Sequence, residues 1–203
     1  MRLPSALARF KRWHGSRISF CEPGNLPGVA DVILLRVGSL GRPDLARRPD
    51  PAATDEKTLD RVYAVNVKAP FFLTAVIAPA MAQAGSGAII NLGSWIARLG
   101  IPVGALYGST KGAMQTLTRA WAAEFGPHGV RVNAISPGVV QTPAPGEVHP
   151  GEVMMQGTPA GRPGNPEAIA SAAVYLANGE AAFVRGSVLD VDGGRTTTAV
   201  IAG

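Results

Sequence analysis

The segment YGSTK places a tyrosine and a lysine four residues apart, at Tyr107 and Lys111. On a helix this spacing brings both side chains to one face. A phenol has a reference pKa of about 10, which is too high for acid–base work at neutral pH. A neighbouring ammonium favours the phenolate and can lower that pKa. The pair therefore suits proton exchange with an alcohol or carbonyl oxygen, although an isolated match more often marks an ordinary surface helix.

Two further polar residues stand at positions where they can contribute to the same chemistry. Ser94 lies 13 residues before Tyr107, directly after the apolar run AIINLG. A hydroxyl there could hydrogen-bond the same substrate oxygen; the alternative is a loop serine that caps a turn. Asn66 has apolar neighbours in VYAVNVKAPFF, and a buried amide must find partners. The alternative is a structural asparagine whose side chain only hydrogen-bonds backbone groups.

The elements that must position these residues alternate between buried strands and helices. Apolar runs at 30–39, 85–94, 130–138 and 186–194 predict strands, each ended by turn-forming residues. Helical spacing over 56–85, 104–129 and 166–179 predicts three helices, the first capped by Thr54 or Asp55 and kinked or broken at Pro70. Alternating strands and helices predict an α/β fold with a parallel sheet covered on both faces.

In such sheets a functional site forms beyond the carboxyl ends of the strands. The predicted strands end at Gly38–Ser39, Gly93–Ser94, Pro137–Gly138 and Gly193–Gly194. Ser94 is therefore expected at the edge of the sheet where ligands bind.

Composition narrows the class of protein. With 203 residues, 46% of them apolar and only 16% charged, the chain fits one globular domain. Its single cysteine, Cys21, excludes an internal disulfide framework, and the three histidines have no ligand spacing, so no metal site is predicted. The longest apolar run, 69–84, is too short and too proline-interrupted to span a bilayer. We expect a cytoplasmic protein without a membrane segment.

The net charge is concentrated at the N-terminus. Residues 1–21 carry five basic residues and no acidic one, which accounts for the whole net charge of +5. This distribution does not predict a nucleic-acid-binding surface on the fold. Residues 1–30 show no sustained periodicity and stay an unassigned basic segment, which resembles either a transit peptide or a misread coding segment. Residues 31–203 form the folded portion.

Four motifs, in this order, resemble the short-chain dehydrogenase/reductase family. They are Asn66 in VYAVNVKAPFFLTA, Ser94 in AIINLGSWIARLG, Tyr107 and Lys111 in YGSTKGAMQTLTRA, and the closing GSVLDVDGG. The resemblance covers roughly residues 54–194. It implies a doubly wound, mostly parallel Rossmann-like sheet. It also implies an NAD(P)-dependent oxidoreductase that interconverts an alcohol and a ketone or aldehyde.

The resemblance also implies roles for individual residues. Tyr107 would be the general acid/base, and Lys111 would lower its pKa and hold the nicotinamide ribose. Ser94 would orient the substrate oxygen, and Asn66 would hold a water of the proton relay. Trp95 could face an apolar substrate, and core packing explains this residue about as well. Further residues are expected on the cofactor side of the site: Pro137, Gly138, Val140 and Thr142. The loop from 142 to 164 would close over substrate.

Helices 58–84 and 104–126 resemble the pair through which members of this family pack their subunits, which implies a homo-oligomer. The substrate implied is a small alcohol or carbonyl compound, and neither nucleic acid nor membrane is an expected partner. The residues that choose NAD or NADP are not recognisable in this sequence.

The sequence departs from the family pattern on the N-terminal side. The family's Gly-rich turn for the dinucleotide is not found, since GNLPG at 24–28 has the wrong spacing. The family's Asn-Asn-Ala-Gly stands as Leu35-Arg36-Val37-Gly38, which keeps only the glycine.

We therefore expect an N-terminally incomplete sheet of about four strands, with an uncovered apolar edge and no housing for the adenosine half of the cofactor. Two hypotheses follow. The chain is an oxidoreductase, or it is a non-catalytic remnant that acts as an oligomerisation or partner-binding subunit.

Overall fold

A computed structural model describes residues 54–101, 104–141 and 151–200, together with the backbone of three earlier strands. Six strands form one sheet in the order of the chain. Their bounds are β1 Phe10–Trp13, β2 Ser16–Cys21, β3 Val32–Leu35, β4 Gly87–Leu92, β5 Val130–Pro137 and β6 Val188–Val191. Strands β3 to β6 are parallel. They are the four strands that the sequence predicts.

The helices cover both faces of the sheet. Their bounds are α1 Glu56–Tyr63, α2 Ala69–Ala84, α3 Ala105–Phe125, α4 Gly151–Met155 and α5 Pro166–Ala177. Because side chains alternate along a strand, Ile89 of β4 packs with Met114 and Trp121 of α3, whereas Ile90 packs on the other side with Leu176 of α5. The doubly wound, Rossmann-like architecture is confirmed.

The N-terminal edge of the sheet corrects the prediction of about four strands with an uncovered edge. Strand β2 pairs antiparallel with β3, Cys21 opposite Val32, and β1 pairs antiparallel with β2. An uncovered strand presents a row of unpaired N–H and C=O groups, and an extended segment nearby satisfies them. Backbone hydrogen bonding therefore recruits a segment whose side-chain pattern predicted no strand. Because β2 is antiparallel, its carboxyl end points away from the edge where β3 to β6 end.

The first long helix is continuous across Pro70, where a kink or break was expected. A π-helical segment, Ala64–Lys68, joins α1 to α2, and the Ala69 N–H donates to the Ala64 carbonyl. Proline has no N–H to donate to the carbonyl four residues earlier. The wider π turn accommodates that missing hydrogen bond without ending the helix. At the N-terminus the Asp55 side chain caps the helix by accepting from the Thr58 N–H at 2.8 Å.

By length and composition alone, the continuous helix Glu56–Ala84 could cross a membrane. It has 29 residues, and its most apolar window has a mean hydropathy of 1.5 and is 28% buried within the structure. The helix is longer than the apolar run 69–84 that the sequence analysis considered. Its inner side packs on the sheet, with Ala78 and Met81 in the core cluster of Ile89.

A buried arginine joins α5 to β5, the strand next to the edge strand β6. Arg131 of β5 donates to the Ala177 carbonyl at 2.9 Å and also to the carbonyls of Leu176 and Ala181. The last carbonyls of a helix have no partner within it and favour a positive charge. Arg131 therefore satisfies the C-terminus of α5, and Asn133 does the same for the Val184 carbonyl at 2.8 Å.

Replacing Arg131 by alanine is expected to lower the free energy of unfolding by about 3 kcal/mol, because several carbonyls lose their donor in a buried place. The matched control is Arg119→Ala, an exposed arginine on α3, expected to change that free energy by less than about 0.5 kcal/mol. Urea titrations followed by circular dichroism measure both. Equal unfolding free energies for the two variants would show that Arg131 does not hold α5.

Candidate active site

The polar residues singled out in the sequence meet at the carboxyl edge of the sheet, where β4 ends and α3 begins. Ser94 follows β4 by two residues, and Tyr107 lies in the first turn of α3. Gly104 precedes α3 with a φ of 74°, a conformation that favours glycine. A Cβ at Gly104 would also come within 2.9 Å of the Ile96 side chain. This glycine therefore allows α3 to start close against the segment that follows Ser94.

Lys111 lies beneath Tyr107 and joins α3 to β4. Its ammonium is 5.5 Å from the centroid of the Tyr107 ring. The same nitrogen donates to the Leu92 carbonyl at 2.8 Å, and the side chain is only 4% exposed. The spacing of four residues thus produces the shared face that the sequence predicts. The lysine is held in place by the last residue of the strand that leads to Ser94.

Burial controls both pKa values in this pair. It raises the pKa of Tyr107, and the hydrogen bond with Ser94 opposes that increase. It lowers the pKa of Lys111 to about 8. Removal from water disfavours the charged form of each group. The net pKa shift of Tyr107 is upward because desolvation is its largest cause, and the lowering of that pKa by Lys111 stays a prediction. At neutral pH the site holds a neutral phenol above a mostly charged ammonium.

Ser94 has the capping role that the sequence left open, and its binding of a substrate oxygen stays a prediction. Its Oγ accepts from the Ile96 N–H at 3.4 Å and caps the short 3₁₀ helix Trp95–Ala97. The same hydroxyl lies beside Tyr107 and lowers the pKa of that phenol against the larger effect of burial. The two hydroxyls therefore stand together at the edge of the sheet.

Asn66 is linked to the turn that carries Tyr107. It lies in the π-helical segment, a kind of segment that often marks functional sites. Its side chain is 5% exposed. Its Nδ2 donates to the Thr110 Oγ1 at 3.3 Å, and that hydroxyl donates to the Tyr107 carbonyl at 2.7 Å. Thr110 is a positioning residue that the sequence analysis did not single out. Its only sequence signal is its place inside YGSTK.

The residues expected on the cofactor side follow β5. Pro137 ends that strand, and the Gly138 N–H donates to the Val191 carbonyl of β6 at 2.9 Å. A Cβ on Gly138 would lie 2.5 Å from the Asp192 Cα, so only glycine lets the two chain segments approach. Val140 and Gly164 form a parallel β-bridge. Both residues line a cleft that Asp192 also lines. Thr142 lies outside the described residues.

The lysine and the two hydroxyls fit the nicotinamide half of a dinucleotide. An ammonium has three N–H donors, and among the described residues Lys111 has one acceptor, the Leu92 carbonyl. The other two N–H donors of the ammonium suit the hydroxyls of a ribose. A pyrophosphate needs a cradle of backbone N–H groups after a strand. In the described backbone, the strand on the far side of β3 from β4 is β2. It is antiparallel, so its carboxyl end lies at the sheet edge opposite to Ser94 and Tyr107.

Two features of this edge escaped the sequence analysis. Arg98 forms an ion pair with Asp190 of β6. The Arg195 guanidinium lies 4.1 Å from the centroid of the Trp95 ring. Trp95, expected to contact substrate, is 7% exposed and lies beside this arginine. The position of Arg195 directly after Gly193–Gly194, at the carboxyl end of a strand, was the available signal.

Comparison with known proteins gives a consistent family assignment. The family model described as "Enoyl-(Acyl carrier protein) reductase" matches residues 28–196. The chain is 41% identical over 174 residues to galactitol 2-dehydrogenase (L-tagatose-forming) of Cereibacter sphaeroides, covering 83% of this chain and 67% of the relative. It is 40% identical over 151 residues to "Inactive 2-(S)-hydroxypropyl-CoM dehydrogenase 2" of Xanthobacter autotrophicus, covering 70% of this chain and 66% of that protein.

A solved structure shares the fold at similar coverage. It is gluconate 5-dehydrogenase from Burkholderia cenocepacia J2315 in complex with NADP and tartrate, with a TM-score of 0.73 and 29% identity. The alignment covers 85% of this chain and 67% of that one. The chain spans 59% to 67% of the length of the curated relatives that it matches at 40% identity or more. A family model and relatives that match most of this chain, at these identities, show that it belongs to the short-chain dehydrogenase/reductase family.

Proposed function

We propose that this protein is an NAD(P)-dependent oxidoreductase that interconverts a secondary alcohol and its ketone, with Tyr107 as the general acid/base. The observation that carries the proposal is the position of Tyr107 beside Ser94 and above the Lys111 ammonium, which lies 5.5 Å from the ring centroid. General acid–base catalysis requires a donor within hydrogen-bond reach of the reacting oxygen. The relatives reported above are named as dehydrogenases of hydroxyl-bearing compounds.

In the reductive direction, Ser94 and Tyr107 bind the substrate carbonyl oxygen, and Tyr107 gives its proton to that oxygen. A nicotinamide cofactor supplies the hydride when it is bound. Burial keeps Tyr107 protonated and ready to act as the acid. The phenolate left after proton transfer is stabilised by the nearby Lys111 ammonium. Oxidation of the alcohol reverses these steps.

Asn66 completes the proposed site as a positioning and water-binding residue. Its Nδ2 is engaged by Thr110, which leaves its carbonyl oxygen to accept from a water. Such a water would transfer protons between Lys111 and the solvent. Pro137, Gly138, Val140 and Thr142 are proposed to line the cofactor, and Trp95 the substrate. NAD and NADP are equally compatible with these contacts.

A second candidate is a non-catalytic subunit. The direction of β2 favours it, because an antiparallel strand beside β3 has no carboxyl end at the ligand-binding edge. A 40% identical relative is named as inactive, so loss of turnover has a precedent among proteins of this similarity. The two candidates differ in whether the chain binds a cofactor.

Titration of the purified chain with NADH and with NADPH, followed by cofactor fluorescence, separates the candidates. Saturable binding of one cofactor, with turnover of galactitol or another polyol, supports the enzyme. An absence of saturable binding for both rejects catalysis by this chain and leaves the non-catalytic subunit.

We also propose that the protein is cytoplasmic and forms a homo-oligomer through the long N-terminal helix and α3. The outer side of the long helix exposes apolar residues: Leu59, Phe71, Phe72 and Val76. Val76 is 76% exposed and Phe72 is 52% exposed. Phe71 reaches Trp121 of α3, with ring centroids 6.0 Å apart. A second copy laid on this surface would remove the apolar residues from water.

Replacing Tyr107 by phenylalanine is expected to lower kcat by at least about 10³-fold, because the proton donor is lost while the ring is kept. Cofactor affinity should change by less than a factor of about three, since Lys111 stays in place. The control is Tyr175→Phe, an exposed tyrosine on α5, with full turnover expected. Steady-state kinetics and cofactor titration measure these effects. Turnover by Tyr107→Phe near the wild-type rate would reject the mechanism.

The Lys111 amine should make stability depend on pH in a defined window. Its pKa falls from 10.5 to about 8 on folding, so between these values the unfolded chain binds more protons than the native one. The free energy of unfolding therefore rises with pH across that window. Relative to Lys111→Met, the wild type should gain about 2 to 3 kcal/mol between about pH 8 and pH 10.

Above about pH 10 the raised pKa of Tyr107 acts in the opposite direction, because the native state then holds the extra proton. Urea titrations at a series of pH values measure the difference between wild type and Lys111→Met. A constant difference from about pH 7 to pH 10 would contradict the depressed lysine pKa.

Charging the exposed side of the long helix should separate the subunits. The double variant Phe72→Lys with Val76→Lys is expected to be monomeric, since two ammonium groups would face their symmetry mates in the buried interface. Val153→Lys on α4, 66% exposed in the wild type, is the control and should keep the wild-type mass. Size-exclusion chromatography with light scattering gives the masses. A double variant of unchanged oligomeric mass would exclude this interface.

A further inference from the structure

Arg195 brings a positive charge to the same edge as the proposed acid–base pair. It follows the turn Gly193–Gly194 at the carboxyl end of β6, and its guanidinium carbon is 4.1 Å from the centroid of the Trp95 ring. Trp95 directly follows Ser94 in the chain. The guanidinium therefore stacks on the neighbour of the residue that is proposed to bind the substrate oxygen.

The backbone around Arg195 is held on a fixed turn. The Ala160 N–H donates to the Gly193 carbonyl at 3.1 Å, and the Thr198 N–H donates to the Gly194 carbonyl at 3.1 Å. Gly194 packs so closely on Pro159 that a Cβ would lie 2.8 Å from its ring. The guanidinium is thus presented from a rigid position, as a site that orients a ligand requires.

The charge of Arg195 has no carboxylate partner among the residues that the structure describes. Asp190, the nearest acid on β6, is paired with Arg98. Asp192 accepts from the Gly194 N–H at 2.9 Å and from the Thr196 N–H at 3.0 Å and hydroxyl at 2.6 Å. Both acids close to Arg195 in the chain therefore have other partners, although the Asp190 Oδ1 is buried without a hydrogen-bond partner among the described residues, as is the Arg195 Nε.

A shielded N–H without an acceptor is costly, and a group that accepts from it recovers that cost. Stacking uses the face of the guanidinium and leaves its edge N–H groups for another partner. Those N–H groups form a planar fork that matches the two oxygens of a carboxylate. The missing partner is thus expected to be a planar anion rather than a neutral hydroxyl.

We propose that Arg195 binds the carboxylate of the substrate and that the substrate class is the small hydroxy acids and their oxo acids. Trp95 orients the guanidinium, and Ser94 and Tyr107 receive the reacting oxygen elsewhere on the same molecule. This inference rests on the proposed function, because it assigns the substrate of that site. It makes Arg195 a specificity-determining residue.

The test uses the purified chain without cofactor and two probes that differ at one carbon. D-Gluconate carries a carboxylate where D-glucitol carries a hydroxymethyl group. Isothermal titration calorimetry is expected to show gluconate binding at least about tenfold tighter, the effect of one charged hydrogen-bonded pair. Arg195→Met should remove the preference, and Arg195→Lys should keep part of it.

Three further variants separate a ligand contact from a structural role. Arg195→Gln keeps a planar group on Trp95 without the charge and should lose the preference while its urea unfolding curve matches the wild type. The exposed Arg162→Met and the inactive Tyr107→Phe should both keep the preference. Failure of turnover therefore does not affect this test. Equal binding of the probes, undetectable gluconate binding, or a preference that survives in Arg195→Met and Arg195→Gln would overturn the proposal.

Discussion

The hydrogen bond from the Lys111 ammonium to the Leu92 carbonyl joins α3, which carries the proposed acid–base pair, to β4, the strand that leads to Ser94. It requires a charged amine to lie 4% exposed at the junction of α3 and β4. The same lack of water lowers the pKa of Lys111 and raises that of Tyr107. The sheet edge, the start of α3 and the protonation states of the site therefore depend on one desolvated contact.

Around this contact, the fold uses backbone irregularities to bring polar groups together. The π-helical segment before Pro70 places Asn66 toward Thr110, and the Thr110 hydroxyl returns to the Tyr107 carbonyl. Gly138 lets β5 and β6 close on each other beside Asp192. In each case a residue without a normal backbone donor or without a Cβ permits an approach that another residue would block. The proposed site thus depends on backbone features around it as well as on its polar side chains.

The sequence predicted the parallel strands and the helices on both faces of the sheet. It also predicted that Ser94, Tyr107 and Lys111 lie close together. Buried strands and amphipathic helices have distinct periods, and the carboxyl ends of parallel strands share an edge. The antiparallel β2 was not recoverable, because its pairing satisfies backbone groups that carry no side-chain signature. Arg195 was also missed, since its contact with Trp95 joins residues 100 positions apart in the chain.

By itself, the sequence determined the order of Asn66, Ser94, Tyr107 and Lys111 along alternating strands and helices, and this order resembles that of the family. These features follow from local periodicity and spacing, which neighbouring residues set. Only the tertiary structure decided how strongly each group is removed from water. The sign of the Tyr107 pKa shift, the Leu92 acceptor of Lys111 and the shielded Nε of Arg195 all depend on segments distant in sequence. Desolvation is a property of the packed environment, so no local pattern specifies it.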